Sequence, residues 1–246
     1  MIEYIITNPS FFINSMKAIS SIIYEGFLLF DKTIIVSGMG ASRIVFFELT
    51  IGEDLLLIKK GGHVKVPLDF SDLAKILKRF KSGKISTLSL LYDDNVLTIK
   101  GKIDNNSKTF KLRTKDIDYE DLSLSKLLQL PLDAIFKINT FDLLDALKDC
   151  EIYSETFCIK TAENNVIIYE TGNIGEVEVK LQPITEIYSD QTAAYKISFV
   201  RDILESTSNP EILLMFRKDY PLGIHDKLSD TSKMIWYIAP RVENDD

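Results

Sequence analysis

The chain contains few of the side chains that carry metal-binding or catalytic chemistry. Its 246 residues include only two cysteines and two histidines. Two cysteines are too few for a disulfide framework or a four-cysteine metal site, so we expect Cys150 and Cys158 to be small core residues. Neither histidine has a Ser or Cys partner at a recognisable catalytic spacing, and we expect His63 in a loop and His225 in a strand. The sequence therefore predicts neither a metal nor a cofactor.

Long apolar runs and complete nucleotide-binding motifs are also absent. No run approaches the roughly 18 apolar residues of a membrane span, and the opening Met-Ile-Glu-Tyr lacks the basic segment of a signal peptide. We expect a soluble, intracellular protein without a membrane partner. Residues 38–43 supply two glycines of a dinucleotide fingerprint but not the third, and Gly83-Lys84 lacks the rest of a P-loop. A small-molecule α+β enzyme with an unrecognised site is the alternative from another functional class.

Charge is unevenly distributed along the chain. The net charge is −7, but residues 1–113 carry 16 Lys and Arg against 11 Asp and Glu, whereas residues 114–246 carry 13 against 25. An acidic total disfavours indiscriminate nucleic-acid binding without excluding a local basic stripe. A positive half and a negative half suit head-to-tail self-assembly; the simpler interpretation is that both surfaces are only solvated.

One pattern occurs four times: a helix-period segment, a strand, a polar turn and a second strand. Apolar residues recur at helical spacing in the first two helices, and Ser71 is predicted to cap the second. Asp, Asn and Lys occupy the turns, as expected between strands. The four predicted helices are residues 10–24, 71–81, 140–150 and 198–206, and the turns are residues 31–32, 93–95, 164–165 and 218–219.

Residues 114–130 interrupt the pattern. They are acidic and leucine-rich, without strand alternation, and lie between the second and third repeats. We expect a connecting loop between two similar domains, residues 1–113 and residues 131–246, with its leucines lying on the protein surface. Short helices on runs of antiparallel strands predict the α+β class.

The end of the chain resembles a known family. Residues 234–241, Met-Ile-Trp-Tyr-Ile-Ala-Pro-Arg, are followed by an acidic tail, as in DNA sliding clamps of the proliferating-cell-nuclear-antigen family. Three further segments resemble the family in order and spacing, so the resemblance extends over essentially the whole chain. They are the strand-turn-strand of residues 36–46, the helix of residues 71–78 with its Lys-Ile-Leu-Lys core, and the Pro-Leu strand at residues 219–222. Within this family, the sequence most resembles crenarchaeal clamp subunits.

The resemblance implies a non-enzymatic processivity factor for DNA replication and repair. Such a ring-shaped trimer has helices inside and sheets outside; it encircles duplex DNA without sequence preference and tethers DNA polymerase, flap nuclease and ligase through short peptide motifs. A clamp loader and two further clamp subunits, non-identical in several crenarchaeal clamps, are the implied partners. The implied location is the cytoplasm, at the nucleoid, or the nucleus in a eukaryote. A checkpoint-type clamp subunit that recruits signalling proteins is the alternative within the family.

The same resemblance implies that two sheet edges meet between subunits. We expect a basic edge on residues 107–113 and an acidic edge on residues 175–181, with basic side chains at alternate positions of the first. Complementary edges can close head to tail into a ring. The implied interface residues are Lys108, Phe110, Lys111, Arg113, Glu176, Val177, Glu178 and Val179.

Helix faces opposite the apolar stripes are implied to face DNA. Lys75, Lys78 and Arg79 lie three and four residues apart, opposite the stripe of the second helix. Without the resemblance this would be an ordinary solvated face. Acids surround the basic residues of the second domain, which favours a heterotrimer whose sister subunits supply more positive charge. The implied DNA-facing residues are Lys17, Lys75, Lys78, Arg79, Lys148 and Arg201.

A client-binding pocket is implied at the Ala-Pro turn. Client proteins of the family carry a glutamine, an aliphatic residue and paired aromatics, and the aromatics would fill an apolar floor. The alternative is that these are ordinary core and linker residues. The implied pocket combines three segments: Met39, Arg43 and Phe46; Leu122 and Leu124; and Pro221, Leu222, Tyr237, Ala239 and Pro240.

Overall fold

The computed structural model describes residues 1–80, 84–103, 106–117, 124–207 and 209–241, with the backbone alone at 124 and 125. The chain forms two compact units. Unit 1 contains Met1–Asp121 together with Leu228–Met234, and unit 2 contains Leu122–Lys227 together with Ile235–Asp246. The boundary at residue 121 falls inside the predicted connecting loop of residues 114–130. The return of Leu228–Met234 to unit 1 was not part of the predicted division.

Unit 1 places two helices on two antiparallel sheets. One sheet has the strand order β5-β1-β7-β8-β9, and the other runs β4-β3-β2-β6. Helix α2 continues into a 3-10 turn, Lys78–Phe80. The elements are β1 (Ile2–Ile6), α1 (Pro9–Ile22), β2 (Glu25–Phe30), β3 (Ile34–Met39), β4 (Val45–Ile51), β5 (Leu56–Lys60), β6 (Val64–Asp69), α2 (Phe70–Leu77), β7 (Ile85–Asp93), β8 (Val96–Ile103) and β9 (Asn106–Arg113).

Unit 2 repeats this arrangement with its own pair of packed helices. Its strands follow the orders β10-β15-β16-β17 and β13-β12-β11-β14. The predicted α+β class is confirmed. The elements are α3 (Leu124–Leu127), β10 (Ala134–Asn139), α4 (Thr140–Glu151), β11 (Thr156–Ala162), β12 (Asn165–Gly172), β13 (Gly175–Leu181), β14 (Thr192–Lys196), α5 (Ile197–Ser206), β15 (Glu211–Phe216), β16 (Leu222–Lys227) and β17 (Lys233–Ile238).

All four long helices bury apolar residues, and the first two bury the stripes that their sequence periodicity predicts. In α1, Phe12, Met16 and Ile19 are completely buried. The start of α2 differs from the prediction: Asp69, not Ser71, caps it, and the Asp69 carboxylate accepts a hydrogen bond from the Asp72 backbone N–H at 2.9 Å. Asp69 has the extended backbone typical of an N-cap, because it ends β6, and its charge suits the exposed N–H groups of the first turn.

Several hairpins turn through residues in the left-handed backbone region, which Asn and Asp tolerate better than other side chains. Asp94 and Asn95 adopt φ of 46° and 59° between β7 and β8, as the sequence predicts. Between β11 and β12 the turn is one residue earlier than predicted, at Glu163 and Asn164, because Asn165 already pairs with Ala162.

Five strands were not predicted from the sequence: β1, β5, β6, β10 and β14. Strand β6 shows why, since Pro67 interrupts its alternating pattern. The proline is tolerated because β2 is the one strand that pairs with β6 among the described residues. The Pro67 carbonyl accepts a hydrogen bond from the Lys115 N–H at 3.4 Å.

Candidate functional site

Strand β9 is the end of the five-stranded sheet of unit 1 and pairs, among the described residues, with β8 alone. Lys111 and Arg113 are exposed on one face of the strand, whereas Phe110 lies half-buried on the other, with its ring 5.4 Å from Phe80. Strand alternation places Lys108 on the face of Phe110. The predicted basic alternation is therefore wrong for Lys108, whose ammonium instead donates to the backbone oxygen of Arg79 at 2.8 Å.

Strand β13 ends the four-stranded sheet of unit 2 and pairs, within the described ranges, with β12. Glu176 and Glu178 are exposed on one face, and Val177 and Val179 are half-buried on the other. Each unit thus carries an end strand with charged side chains outward and apolar side chains toward its helices. The charge is positive on β9 and negative on β13.

Two exposed apolar residues beside β13 were missed by the sequence reasoning. Ile152 follows α4 and exposes 64% of its surface, and Ile174, in the hairpin that leads into β13, exposes 74%. Between them, Tyr153 packs under the hairpin: a side chain at Gly172 would meet its backbone oxygen at 2.2 Å. The sequence signal that could have identified this surface is an isoleucine at each of two turns, because turns usually carry polar residues.

The basic residues of unit 1 that were expected to face DNA are exposed. Lys17 lies on α1, and Lys78 and Arg79 lie in the 3-10 turn that extends α2. Lys75 is also exposed but forms an ion pair with Asp72, with 2.9 Å between the ammonium and the carboxylate. The hydrogen bond that the Lys75 ammonium donates to Asp72 raises the pKa of Lys75. The α1–α2 pair therefore presents a mainly positive surface.

The helix pair of unit 2 presents the opposite charge. Lys148 is exposed on α4 near the exposed acids Asp142, Asp145 and Asp149. Arg201 of α5 is half-buried, and its guanidinium forms ion pairs with Glu151 and with Asp202. The hydrogen bond to Glu151 raises the pKa of Arg201. Glu151 was not foreseen as its partner, because it is 50 residues away in the chain.

In unit 1, the predicted client-site residues lie around the β3–β4 turn. Met39 pairs with Phe46 at the base of the turn; Met39 is half-buried and Phe46 is buried. Arg43 is exposed with a left-handed backbone, φ 58°, and its N–H donates to the Gly40 oxygen at 2.7 Å. Of these three side chains, Arg43 is the most exposed.

In unit 2, the predicted residues divide into buried and accessible ones. Leu222 and Tyr237 expose 1% and 2%, whereas Pro221, Ala239 and Pro240 are half-buried. Burial raises the pKa of Tyr237, and its ring meets His225 edge-on at 6.0 Å. The Ala-Pro turn is held from behind, because the Arg241 N–H donates to the Ala194 oxygen at 2.8 Å.

The structure describes some of the remaining predicted residues and not others. Leu122 lies outside the described residues, and Leu124 begins the short helix α3, which was not predicted. Cys150 is buried, and Cys158 is half-buried. No cluster of His, Cys, Asp and Glu suited to a metal ion occurs in the described ranges. No helix in the described part of the chain is long and apolar enough to span a membrane.

Sequence comparisons find relatives along nearly the full length of the chain. No protein-family model matches it. A DNA polymerase sliding clamp from Thermococcus onnurineus (strain NA1) is 27% identical over 251 residues, which cover 98% of this chain and 99% of that protein. A DNA polymerase sliding clamp from Methanococcus vannielii is 24% identical over 240 residues, 93% of this chain and 94% of that protein.

Solved structures share the fold at lower sequence identity. PCNA from Thermococcus kodakaraensis superposes with a TM-score of 0.89 at 21% identity, covering 98% of this chain and all of that one. Proliferating cellular nuclear antigen from Entamoeba histolytica superposes with a TM-score of 0.86 at 20% identity, covering 98% and 99%.

Proposed function

We propose that this chain is a clamp subunit which encircles duplex DNA and tethers a DNA polymerase to it, because it belongs to the proliferating-cell-nuclear-antigen family of DNA sliding clamps. A clamp is a processivity factor and not an enzyme. Its mechanism is topological: a tethered polymerase that releases the primer end stays at a high effective concentration beside it. The observation that carries the proposal within this chain is its pair of oppositely charged strand edges, β9 and β13.

Assembly would join β9 of one subunit to β13 of the next. The apolar faces match, with Phe110 meeting Val177 and Val179, and so do the charged faces, with Lys111 and Arg113 meeting Glu176 and Glu178. Each cross-strand pair contributes about 0.2–1 kcal/mol, and pairing removes two exposed edges. The contact is heterologous and can therefore close into a ring.

The exposed isoleucines Ile152 and Ile174 support the same face of unit 2 as a contact surface. Large apolar side chains are unfavourable when exposed to water, and a bound protein that covers them removes this unfavourable exposure. Both flank β13, so a subunit docked there would bury them together with the strand edge. We include them in the proposed interface, beside the eight residues inferred from the sequence.

DNA contacts would be concentrated on unit 1. Lys17, Lys78 and Arg79 are exposed, and lysine and arginine on a helix face bind phosphates regardless of base sequence. In unit 2, Arg201 is paired with two acids, and Lys148 is outnumbered by acids on α4. Three identical copies would repeat this acidic face around the duplex, which supports a heterotrimer with more basic sister subunits.

Clients would bind beside the Ala-Pro turn of unit 2. Pro221, Ala239 and Pro240 provide the accessible apolar surface, and the backbone of the turn is held rigid by the Arg241–Ala194 hydrogen bond. The buried Leu222 and Tyr237 would support this surface from below. Met39, Arg43, Phe46, Leu122 and Leu124 stay predictions for the remainder of the pocket.

Flap nuclease and ligase are the further clients we propose, with a clamp loader that opens the ring. The proposed place of action is the cytoplasm at the nucleoid, as for archaeal clamps. No observation favours a checkpoint role or a small-molecule enzyme over a replication clamp.

The test combines charge reversal with a processivity assay. The wild-type assembly is formed first, with sister subunits where these are required. The double variant Lys111→Glu/Arg113→Glu should sediment as a smaller species than this assembly, and a polymerase assayed with it should lose processive synthesis. The matched control Lys100→Glu/Lys102→Glu makes the same charge change on β8, the neighbouring strand, where both lysines are exposed. Unchanged sedimentation of the β9 variant would refute the interface, and assembly without stimulation of a polymerase would refute the replication role.

A further inference from the structure

Strand β5 is the opposite end of the sheet that carries β9. Its one described partner is β1, so alternate backbone N–H and C=O groups of β5 point away from the sheet. Leu56 is buried, but Leu57 and Ile58 expose 52% and 45% of their surface. Lys59 and Lys60, which end the strand, are exposed. This edge is therefore apolar along its first half and basic along its second.

The end strands β5 and β6 of unit 1 differ in how they are protected against pairing with another strand. In β6, Pro67 has no N–H to offer, and its carbonyl already accepts from the Lys115 N–H. Prolines, covering segments, lysines and bulges all protect edge strands against pairing. Strand β5 has no proline, and in the described part of the chain no strand pairs with its outer side. Its protection is a register shift opposite Glu3 and Tyr4 together with its two lysines, which repel a basic strand but attract an acidic one.

Charged residues of both signs surround the end of β5. The Tyr4 hydroxyl donates to the Asp31 backbone oxygen at 2.7 Å and accepts from the Gly62 N–H at 3.4 Å, which holds the β2–β3 turn beside the residues that follow β5. This turn brings Lys32 to the same corner, where it is exposed. The acids of the corner are Asp31, 3.7 Å from His63, and Glu3, which lies opposite Lys60 across the β1–β5 ladder.

We propose that β5 is a docking edge for an extended acidic peptide, which would pair with it as a sixth strand. Backbone hydrogen bonds would supply affinity, apolar side chains of the peptide would cover Leu57 and Ile58, and its carboxylates would meet Lys59 and Lys60. A nucleic acid would use the lysines but leave the apolar half and the backbone edge unused. A second copy of β5 would bring four lysines of like charge to one short ladder, which disfavours self-pairing.

The probe is a fluorescein-labelled peptide, Asp-Val-Glu-Ile-Asp-Val-Glu, acetylated and amidated at its ends. Its binding to the full-length chain is measured by fluorescence anisotropy, and hydrogen–deuterium exchange locates the protected amides. We expect slower exchange in residues 56–60, and at least about fivefold weaker binding to Lys59→Glu/Lys60→Glu, from the loss and reversal of two surface ion pairs. The control Lys100→Glu/Lys102→Glu makes an equal charge change on β8 and should bind within about twofold of wild type.

A second peptide with proline in place of the isoleucine tests strand pairing, because it keeps the charge and loses the central N–H. Equal binding of the two peptides, or unchanged affinity of the β5 variant, would overturn the proposal. Protection on β9 instead of β5, or binding of a single-stranded oligonucleotide with no binding of the peptide, would overturn it as well. The peptide shares the acid–aliphatic alternation of β13, so the Lys59→Glu/Lys60→Glu change is also made in the Lys111→Glu/Arg113→Glu background, where β9 no longer attracts acids. Peptide affinity that remains in this background and falls with the β5 change is independent of whether the subunit interface is correct.

Discussion

Tyr237 provides a strong test of how the proposed client surface is built. Its ring is 2% exposed in unit 2. A side chain at Gly223 would lie only 3.2 Å from the ring, and His225 meets it edge-on. Replacing a buried aromatic ring by alanine costs about 3–5 kcal/mol. A chain of this size loses roughly 2–4 °C in Tm per kcal/mol, so Tyr237→Ala should unfold roughly 6–20 °C earlier.

The assay pairs scanning calorimetry with anisotropy of a client peptide that carries a glutamine, an aliphatic residue and two aromatics. Tyr237→Ala should lose both stability and peptide binding. Tyr237→Phe keeps the ring and should lose no more than about 1.5 kcal/mol of stability. Ala239→Arg places a large charged side chain on the half-buried turn, and should block the peptide while leaving Tm within a few degrees of wild type.

Two results would refute this reasoning. An unchanged Tm for Tyr237→Ala would mean that the ring is not part of the core. Full peptide affinity in Ala239→Arg, with the fold intact, would mean that clients do not bind at the Ala-Pro turn. Loss of binding in Tyr237→Ala alone would decide nothing about direct contact, which is why the calorimetric measurement accompanies it.

Three other predictions concern buried polar groups. Asn209→Ala should cost about 1–3 kcal/mol in urea unfolding, because it removes a hydrogen-bond donor from the buried carboxylate of Asp226. Burial raises the pKa of Tyr195 above its ordinary value of 10.0, so the free energy of unfolding should fall as pH rises above about 10, where the unfolded state ionises first; Tyr195→Phe should reduce this dependence, and Tyr237, whose pKa burial also raises, should account for part of the remainder. Burial also raises the pKa of the Cys150 thiol to about 12, so mass spectrometry should find its alkylation at pH 8 slower than that of half-buried Cys158.

The helices and hairpins were predictable because their signals are local. An apolar residue every three or four positions marked Phe12, Met16 and Ile19, and acids and asparagine marked the turn at Asp94 and Asn95. The missed strands lack a local signal. Strand β5, Leu-Leu-Ile-Lys-Lys, does not alternate between apolar and polar residues, and its pairing with β1 joins residues 50 or more positions apart. Only the tertiary fold determines that it is a strand.

Site residues were predictable in identity but less so in orientation. Strand alternation has a period of two, so an argument that placed Lys108, Lys111 and Arg113 together could not hold for all three. The ion pair between Arg201 and Glu151 had no signal at all, since the two helices that carry them meet only after folding. Burial of Tyr237 was equally hidden, because an aromatic residue next to an Ala-Pro turn is compatible with both a pocket wall and a core.

The orientation of Lys108 has a consequence for assembly that charge counting would miss. Its ammonium already satisfies the Arg79 carbonyl at the end of the 3-10 turn, on the face of the strand that also carries Phe110. Reversing its charge would therefore disturb the helix end and the packing around Phe80 as well as any subunit contact. In the described ranges, no hydrogen bond or ion pair gives Lys111 or Arg113 such a second role on the outer face. On β9, the electrostatic part of the proposed interface can thus be removed at Lys111 and Arg113 without disturbing the core, whereas a triple reversal that included Lys108 would confuse loss of assembly with local unfolding.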